Sequence, residues 1–426
     1  MTLKKRNLTK YCDAYTRFRG EYMKYVVVLG DGMADWKIPS LGNKTCLEAA
    51  HTPNLDKLAP LSEVGLCKTV PQGFKPGSDV ANMSVLGFNP HKFYTGRSPL
   101  EAVSMGIKLK PTDVTVRCNL VTLSDDEPYD NKTMLDYSAG EITTEEATEL
   151  INFLKKQFDS ERFTLYPGIS YRHCLVVDNG KVGNDLTPPH DISDKKVTGH
   201  LPKGEYGDIY LGFMQKSYEL LKDHPVNLKR IKEGKKPANS IWLWGEGTKP
   251  ALAAFKEIRG LKGGIISAVD LVQGIGMLAG MKIIPVDGIT GNYETNFTGK
   301  ANKAVDELLG GLDYVYIHME APDECGHHGD YAHKVYSIEQ IDEKVIKTAI
   351  DRFTYAGEDF AMLVCPDHPT PCQIKTHLSD PIPYLLYTNV KNLCNGAKRY
   401  TEDEAKATGE YVPDGYKLIE KLISVK

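Results

Sequence analysis

Short, almost wholly apolar runs recur along this chain, and they narrow its possible folds more than anything else in it. Tyr25-Val-Val-Val-Leu-Gly30, Ser240-Ile-Trp-Leu-Trp-Gly245, Gly264-Ile-Ile-Ser-Ala268, Tyr314-Val-Tyr-Ile-His318 and Phe360-Ala-Met-Leu-Val-Cys365 are too short for buried helices and lack the polar alternation of a strand with one wet face. Strands of this kind belong in a mostly parallel sheet covered by helices on both faces. The helical patterns at Lys249 to Arg259, Ala301 to Leu309 and Val335 to Phe353 have lengths suited to the crossovers. The expected class is α/β.

The middle of the chain changes period. Asp113 to Leu123 alternates like a half-buried strand, and Thr143-x-x-Glu146 matches a capping box opening a helix with Ala147, Leu150, Ile151 and Leu154 on one face. Strand-like Arg162 to Leu165 and His173 to Val177 follow, then the Pro-rich loop Leu186 to Ile192 and a helix near Tyr210 to Lys222. The basic stretch Lys229 to Pro237 reads as a linker. A smaller α+β domain is therefore expected as an insertion over 113–236, interrupting a core made of 23–112 and 237–426. Residues 1–22 are rich in Lys and Arg without an apolar stretch resembling a signal, and are expected to be an extension outside the fold.

Charge and cysteine usage exclude several classes. The 52 Lys+Arg against 56 Asp+Glu leave a formal charge of -4, with no basic stripe for nucleic acid. No apolar run approaches the roughly 18 residues that would span a bilayer. The nine cysteines, odd in number and without a CxxC pair, read as buried or free thiols in a reducing cytoplasm.

Acidic residues follow three of the apolar runs: Asp31 after the first, Asp323 beyond His318 and Asp367 beyond Cys365. In a parallel sheet these positions converge on the crevice at the carboxyl ends of the strands. Imidazoles accompany them as His327, His368 and His377, and six of the twelve histidines fall between His318 and His377. Such mixed oxygen and nitrogen donors suit Mn²⁺ or Zn²⁺ and are enough for two ions, the arrangement that serves in-line phosphoryl displacement. Taken singly, each Asp can equally be a turn former and each Asp–His pair an incidental surface pair. A nucleophile candidate is Ser78 in Pro76-Gly-Ser-Asp79, at an expected helix start that favours a phosphate; the alternative is that Ser78 is only an N-cap.

These residues together resemble a known family, the archaeal-type cofactor-independent phosphoglycerate mutases of the alkaline phosphatase superfamily. The resemblance extends over nearly the whole chain after Met23. It is carried by Leu29-Gly-Asp-Gly-Met33, Thr52-Pro-Asn-Leu-Asp56, Pro76-Gly-Ser-Asp79, Tyr94-Thr-Gly-Arg-Ser-Pro-Leu-Glu-Ala102, Pro322 to Asp330 and Pro366-Asp-His-Pro-Thr-Pro-Cys372. It implies an alkaline-phosphatase-like core and a Ser78 that accepts the phosphoryl group. One metal would be held by Asp31, Ser78, Asp367 and His368, and a second by Asp323, His327 and His377. The ions implied are divalent, Mn²⁺ first, with Zn²⁺, Mg²⁺ or Co²⁺ as alternatives, and no 2,3-bisphosphoglycerate is needed. The substrate would be a small phosphorylated hydroxy acid, 3-phosphoglycerate giving 2-phosphoglycerate, with the inserted domain as a lid that excludes water. Arg97, Arg117, Arg172 and Lys249 are candidates for clamping the substrate's anionic groups, although each can equally be a salt-bridged surface group. His190 and Asp191 resemble the family's acid/base segment, although the Pro pair before them can equally stiffen a connector. A phosphatase or phosphonate hydrolase, a kinase of a small alcohol such as homoserine, and an inactive metal-stabilised binding protein are the alternatives.

Overall fold

The computed structural model describes residues 23–425, so the expected extension over 1–22 lies outside the described residues. The chain divides into two compact units, one built from the stretch through Tyr94 together with Leu252–Lys426, the other from Thr95–Ala251.

The first unit holds an eight-stranded sheet in the order Tyr411–Val412, Glu63–Cys67, Ile382–Thr388, Phe360–Cys365, Lys24–Gly30, Tyr314–Met319, Gly263–Ile266 and Lys282–Ile283. Lys24–Gly30 runs parallel to both of its neighbours, and the parallel run continues to Lys282–Ile283. Ile382–Thr388 pairs antiparallel on both of its sides. Every residue of Tyr314–Met319 and Phe360–Cys365 is buried, as continuous apolar runs require. Successive side chains alternate between faces. Val26, Val28, Val315, Ile317, Met362 and Val364 join a core with the helix Phe297–Leu309 and the helical stretch Tyr331–Ala356. Tyr316 and His318 point the other way, where the Tyr316 hydroxyl reaches Asn82 of the helix Ser78–Val85. Leu29 stands opposite both His318 and Cys365, so the ends of three strands lie level and the loops after them emerge together.

The second unit is a five-stranded antiparallel sheet. Val114–Leu123 lies at its centre, between Arg172–Val177 and Ser240–Thr248. Two expectations change here. The Ser240 run joins this sheet and not the parallel one, because its apolarity reports burial on both faces without specifying which sheet buries it. Val114–Leu123 is buried almost throughout, with only Arg117 partly exposed. Ala102, Ile107 and Leu109 cover one face, and the helices Thr144–Phe158 and Gly207–Leu221 cover the other. The polar positions that suggested a wet face are satisfied internally: Thr115 Oγ1 donates to the Gly247 carbonyl, and Asn119 donates to Tyr137 while accepting from Trp244. The unit extends beyond 113–236 at both ends, because it includes the helix Ser98–Ser104 and the strand Ser240–Thr248.

The expected linker over 229–237 is half helix, since Pro225–Lys232 begins on a favourable N1 proline and Arg230 is buried against Glu146 and the Ala139 carbonyl. Of the helix expected over Lys249 to Arg259, only Phe255–Arg259 forms; Pro250 disfavours helical backbone at Lys249. Among the described residues, seven cysteines are buried free thiols, Cys394 is an exposed one, and no helix is long and apolar enough to cross a membrane.

Candidate active site

The loops after the three level strands bring the predicted ligands together. Asp31 directly follows Lys24–Gly30, and its peptide N–H extends the ladder to the Met319 carbonyl. Gly32 makes the turn at φ +61°, where a Cβ would lie 2.5 Å from Asp323 Oδ1 and 2.6 Å from Thr370 Oγ1; only glycine lets the backbone approach this closely. Its N–H donates to Asp367 Oδ1 at 3.1 Å, as does that of His368 at 2.8 Å. Asp31, Asp367 and His368 are all fully buried.

Ser78 opens the helix Ser78–Val85 at its first helical position, with Gly77 as the N-cap, so the N-cap role expected as its alternative falls to Gly77. Its Oγ lies 3.1 Å from His368 Nε2. The same nitrogen is 3.3 Å from Asp367 Oδ2 and 3.7 Å from Asp31 Oδ1. Asp31 Oδ1 has no hydrogen-bond partner. Burial, and then the charges of Asp367, Asp323 and Glu320, push the Asp31 carboxyl well above its ordinary pKa.

Asp323 and His327 stand one turn apart on the helix Ala321–His328, whose Gly326 sits against the Thr370 carbonyl too closely for any side chain. Asp323 Oδ2 is 3.2 Å from His327 Nε2, Asp323 Oδ1 is 3.5 Å from His377 Nε2, and the two imidazole nitrogens are 2.8 Å apart. Burial acts to raise the Asp323 carboxyl, but the hydrogen bonds with His327 and His377 outweigh it and leave it well below the ordinary range. The Asp323 bond lifts His327 to about 9.

Both groups of residues fit divalent ions. Each gathers donors about 3–4 Å apart, the spacing of ligands around an ion with bonds near 2.0–2.2 Å. The tautomers agree as well. His327 Nδ1 faces the Lys375 carbonyl at 3.0 Å, an acceptor only, so Nδ1 keeps its hydrogen and Nε2 is the nitrogen that would give up its proton and offer a lone pair to an ion. Thr370 Oγ1 donates to Asp323 Oδ1 and lies 3.2 Å from His368 Nδ1, which turns His368 Nε2 towards the cluster in the same way. A cation would also relieve the crowding of Asp31 against Asp367.

Several groups here escaped the sequence-level expectations. Asn82 donates to both the Ser78 carbonyl and Asp367 Oδ2 at 2.9 Å and accepts from Tyr316 at 2.7 Å, tying the serine's helix to a ligand. His318 Nε2 is 2.9 Å from Asp31 Oδ2. The available signal was a Tyr and a His two apart on one face of an otherwise apolar strand.

The remaining candidates lie in the second unit. Glu101 takes Arg97 Nε on one oxygen at 2.7 Å and Arg117 Nε on the other at 2.9 Å. The Arg117 guanidinium stacks 3.8 Å over the Trp244 ring, against which His190 also packs with ring centroids 5.1 Å apart. Burial lowers Arg117 to about 10, with Glu101 opposing and Arg97 and Arg172 adding to the shift. Two guanidinium groups thus bind one carboxylate, with the charge of Arg172 also acting on it, a setting that an anion would stabilise. Burial also lowers His190, with Asp191 opposing and Arg117 and Arg97 adding to it; its Nε2 is 3.7 Å from the exposed Asp191. The Lys249 ammonium donates to the Leu109 carbonyl at 3.3 Å. Glu101 and Trp244, which partner these cations, were not among the residues singled out in the sequence.

The profile of the 2,3-bisphosphoglycerate-independent phosphoglycerate mutases matches residues 59–227. A probable 2,3-bisphosphoglycerate-independent phosphoglycerate mutase of Geobacter sulfurreducens is 47% identical over 401 residues, 94% of this chain and all of the relative. The Methanosarcina barkeri enzyme of that name is 46% identical over 95% of this chain and all of its own length. Among solved structures, a Pyrococcus horikoshii protein aligns with TM-score 0.79 at 29% identity, over 94% of this chain and 97% of its own. The Thermoplasma acidophilum cofactor-independent phosphoglycerate mutase aligns with TM-score 0.62 at 24% identity, over 94% and 99%, and shares the fold.

Proposed function

As a member of the 2,3-bisphosphoglycerate-independent phosphoglycerate mutase family, which relatives 46 and 47% identical over nearly its whole length establish, this chain is a phosphoglycerate mutase, and we propose that it works through a phosphoserine at Ser78 with two divalent cations. The observation that carries this reading is Ser78 Oγ, 3.1 Å from His368 Nε2 at the edge of a buried carboxylate–imidazole cluster. Membership in the family also favours the mutase over the phosphatase and small-alcohol kinase alternatives.

Asp31, Ser78, Asp367 and His368 would hold one ion, and Asp323, His327 and His377 the other. When bound, such ions neutralise the transferring phosphoryl group and lower the pKa of the serine hydroxyl. Ser78 gives up its hydroxyl proton as Oγ attacks the phosphorus of 3-phosphoglycerate; the Oγ–P bond forms, the bond from phosphorus to the 3-oxygen breaks, and that oxygen takes up a proton, the serine regaining its own when it is released. The 2-hydroxyl of the retained glycerate then gives up a proton, attacks the phosphoserine and releases Ser78. The helix at Ser78 contributes a favourable N-terminal dipole to the anionic group. Asn82 fixes that helix to Asp367, so the nucleophile keeps its place through both transfers. We assign Arg97, Arg117 and Arg172 to binding the substrate's anionic groups, and His190 with Asp191 to moving the proton between the two glycerate oxygens. The mixed oxygen and nitrogen donors suit Mn²⁺ or Zn²⁺, and the family resemblance puts Mn²⁺ first.

The test supplies purified protein with Mn²⁺ and 3-phosphoglycerate, coupled to enolase, without 2,3-bisphosphoglycerate. Wild type should form 2-phosphoglycerate, and Ser78→Ala should not, while still binding metal more weakly. Full activity in Ser78→Ala would refute the nucleophile assignment, and release of free phosphate without 2-phosphoglycerate would refute internal transfer.

A further inference from the structure

The unpartnered oxygen of Asp31 has a counterpart that accounts for it. Asp31 Oδ2 is 2.9 Å from His318 Nε2, while Oδ1 makes no hydrogen bond and faces His368 Nε2 at 3.7 Å. His318 is held in turn, its Nδ1 3.2 Å from Ser267 Oγ and its carbonyl accepting from Lys300 Nζ at 2.8 Å. With a cation holding Asp31 ionised, its carboxylate only accepts, so the ring hydrogen lies on Nε2 and Nδ1 accepts from the Ser267 hydroxyl. This is the reverse of His327, whose Nδ1 keeps its hydrogen against the Lys375 carbonyl and whose Nε2 faces Asp323 and His377. All three of Ser267, His318 and Asp31 are buried. Main-chain pairing of Leu29 with His318 sets the imidazole beside the carboxylate through the sheet and not through a mobile loop.

We propose that His318, oriented by Ser267, is a positioning residue that occupies Oδ2 of Asp31 and leaves Oδ1 as its single ligating oxygen, directed at the cluster of Ser78, Asp367 and His368. The inference rests on the metal-site reading above. Without His318, Asp31 is free to rotate or to chelate through both oxygens, and the geometry around Ser78 changes. Asp31, His318 and Glu320 also gather close enough to suggest a separate cation cradle. The Nε2–H directed at Oδ2 and the nearby positive charge of Lys300, which interacts with Glu320, argue that this group is a support instead.

The experiment titrates chelator-treated wild type, His318→Ala, His318→Gln and Ser267→Ala with Mn²⁺ by calorimetry, with bound metal counted by elemental analysis. Wild type should bind two ions. His318→Ala should weaken one of the two constants by about 10–100-fold and leave the other unchanged. His318→Gln, which restores an N–H donor towards Asp31, should recover most of the loss. Ser267→Ala should shift the same constant by a smaller factor, and it serves as the probe if the His318 variants fail to fold. A merely structural role would lower the melting temperature of the metal-free protein without moving either constant. Unchanged constants in His318→Ala and Ser267→Ala would overturn the proposal, as would a third wild-type ion that His318→Ala loses. A wild-type protein that binds no divalent ion overturns both this inference and the metal reading beneath it; two normal ions with unchanged variants overturn the positioning role alone.

Discussion

Replacing Lys334 with Met should be among the most damaging single changes in the first unit. The ammonium is wholly inaccessible, as is Asp35, whose Oδ2 it meets at 2.8 Å. It also donates to the Thr370 carbonyl at 2.8 Å and the Ala34 carbonyl at 3.3 Å. Methionine fills much of the volume but strands a buried carboxylate, for which removal of one partner costs about 3–5 kcal/mol. Protonation sets a ceiling of about 4 kcal/mol on that term at pH 7, the cost of neutralising a carboxyl of ordinary pKa. The two abandoned carbonyls add about 1 kcal/mol each. The sum, about 5–6 kcal/mol, should be read by urea unfolding at pH 7 against the wild type. Asp35→Asn in the Lys334→Met background removes the charge and should return about 3 kcal/mol of it, a coupling that a double-mutant cycle measures. A deficit under about 1 kcal/mol, or no rescue by Asp35→Asn, would show that the pair is not the buried, mutually dependent unit described. Because Thr370 also contacts Asp323 and His368, the same variant should bind divalent ions more weakly.

Arg117→Lys keeps a positive charge but gives up the planar stack on Trp244 and the guanidinium bond to Glu101. The KM for phosphoglycerate should rise roughly 10- to 30-fold, equivalent to about 1–2 kcal/mol, in steady-state kinetics, and the melting temperature should fall modestly because both lost contacts are made in the folded chain. His173 is buried, accepts at Nδ1 from the Gly168 N–H, and is lowered to about 3, first by burial and then by Arg172. A histidine depressed in the folded state stabilises fully above its unfolded pKa of 6.5 and loses that contribution as pH falls towards 3. Unfolding free energy should therefore drop by about 1.4 kcal/mol per pH unit below 6.5 from this group, and His173→Gln should flatten the profile measured by urea titration. Removing divalent ions with a chelator should abolish turnover and lower the melting temperature, and Mn²⁺ should restore both; ligand at a hundredfold over its Kd stabilises by about 2.7 kcal/mol per site.

The convergence of the seven residues expected as metal ligands was legible because such chemistry leaves few residue types to choose from, and because strand ends in a parallel sheet announce themselves through the apolar runs before them. Asp31, Asp323 and Asp367 needed only the assumption that three strands finish level, which the pairing of Leu29 with His318 and Cys365 satisfies. The Ser240 run defeated the same reasoning. An apolar segment states that both of its faces are covered, and Ile241 to Trp244 are covered equally well in an antiparallel sheet, in register with Asn119 and Arg117. Sheet membership is decided by partners far away in sequence, which a local pattern does not carry. The widened second unit follows from that one misassignment, together with the Ser98–Ser104 helix.

The supporting residues were illegible for a different reason. A ligand must be a particular kind of donor, but a support need only present a hydrogen bond at the right place, and Asn82, Tyr316, Thr370 and His318 do so from four different residue types. Two of them, Tyr316 and His318, occupy alternate positions of one buried strand and so reach the same side of the sheet. Tyr316 acts through Asn82 on Asp367 and on the serine's helix, while His318 acts directly on Asp31. A single central strand thereby reaches both carboxylates near the proposed nucleophile, one directly and one through Asn82. Buried polar groups at strand positions otherwise reserved for Val and Ile carry a desolvation cost unless they are paired. Their presence beside a cluster of carboxylates is therefore a sign of a site whose geometry is held from the sheet beneath it, and it is a sign that residue type and spacing alone do not reveal.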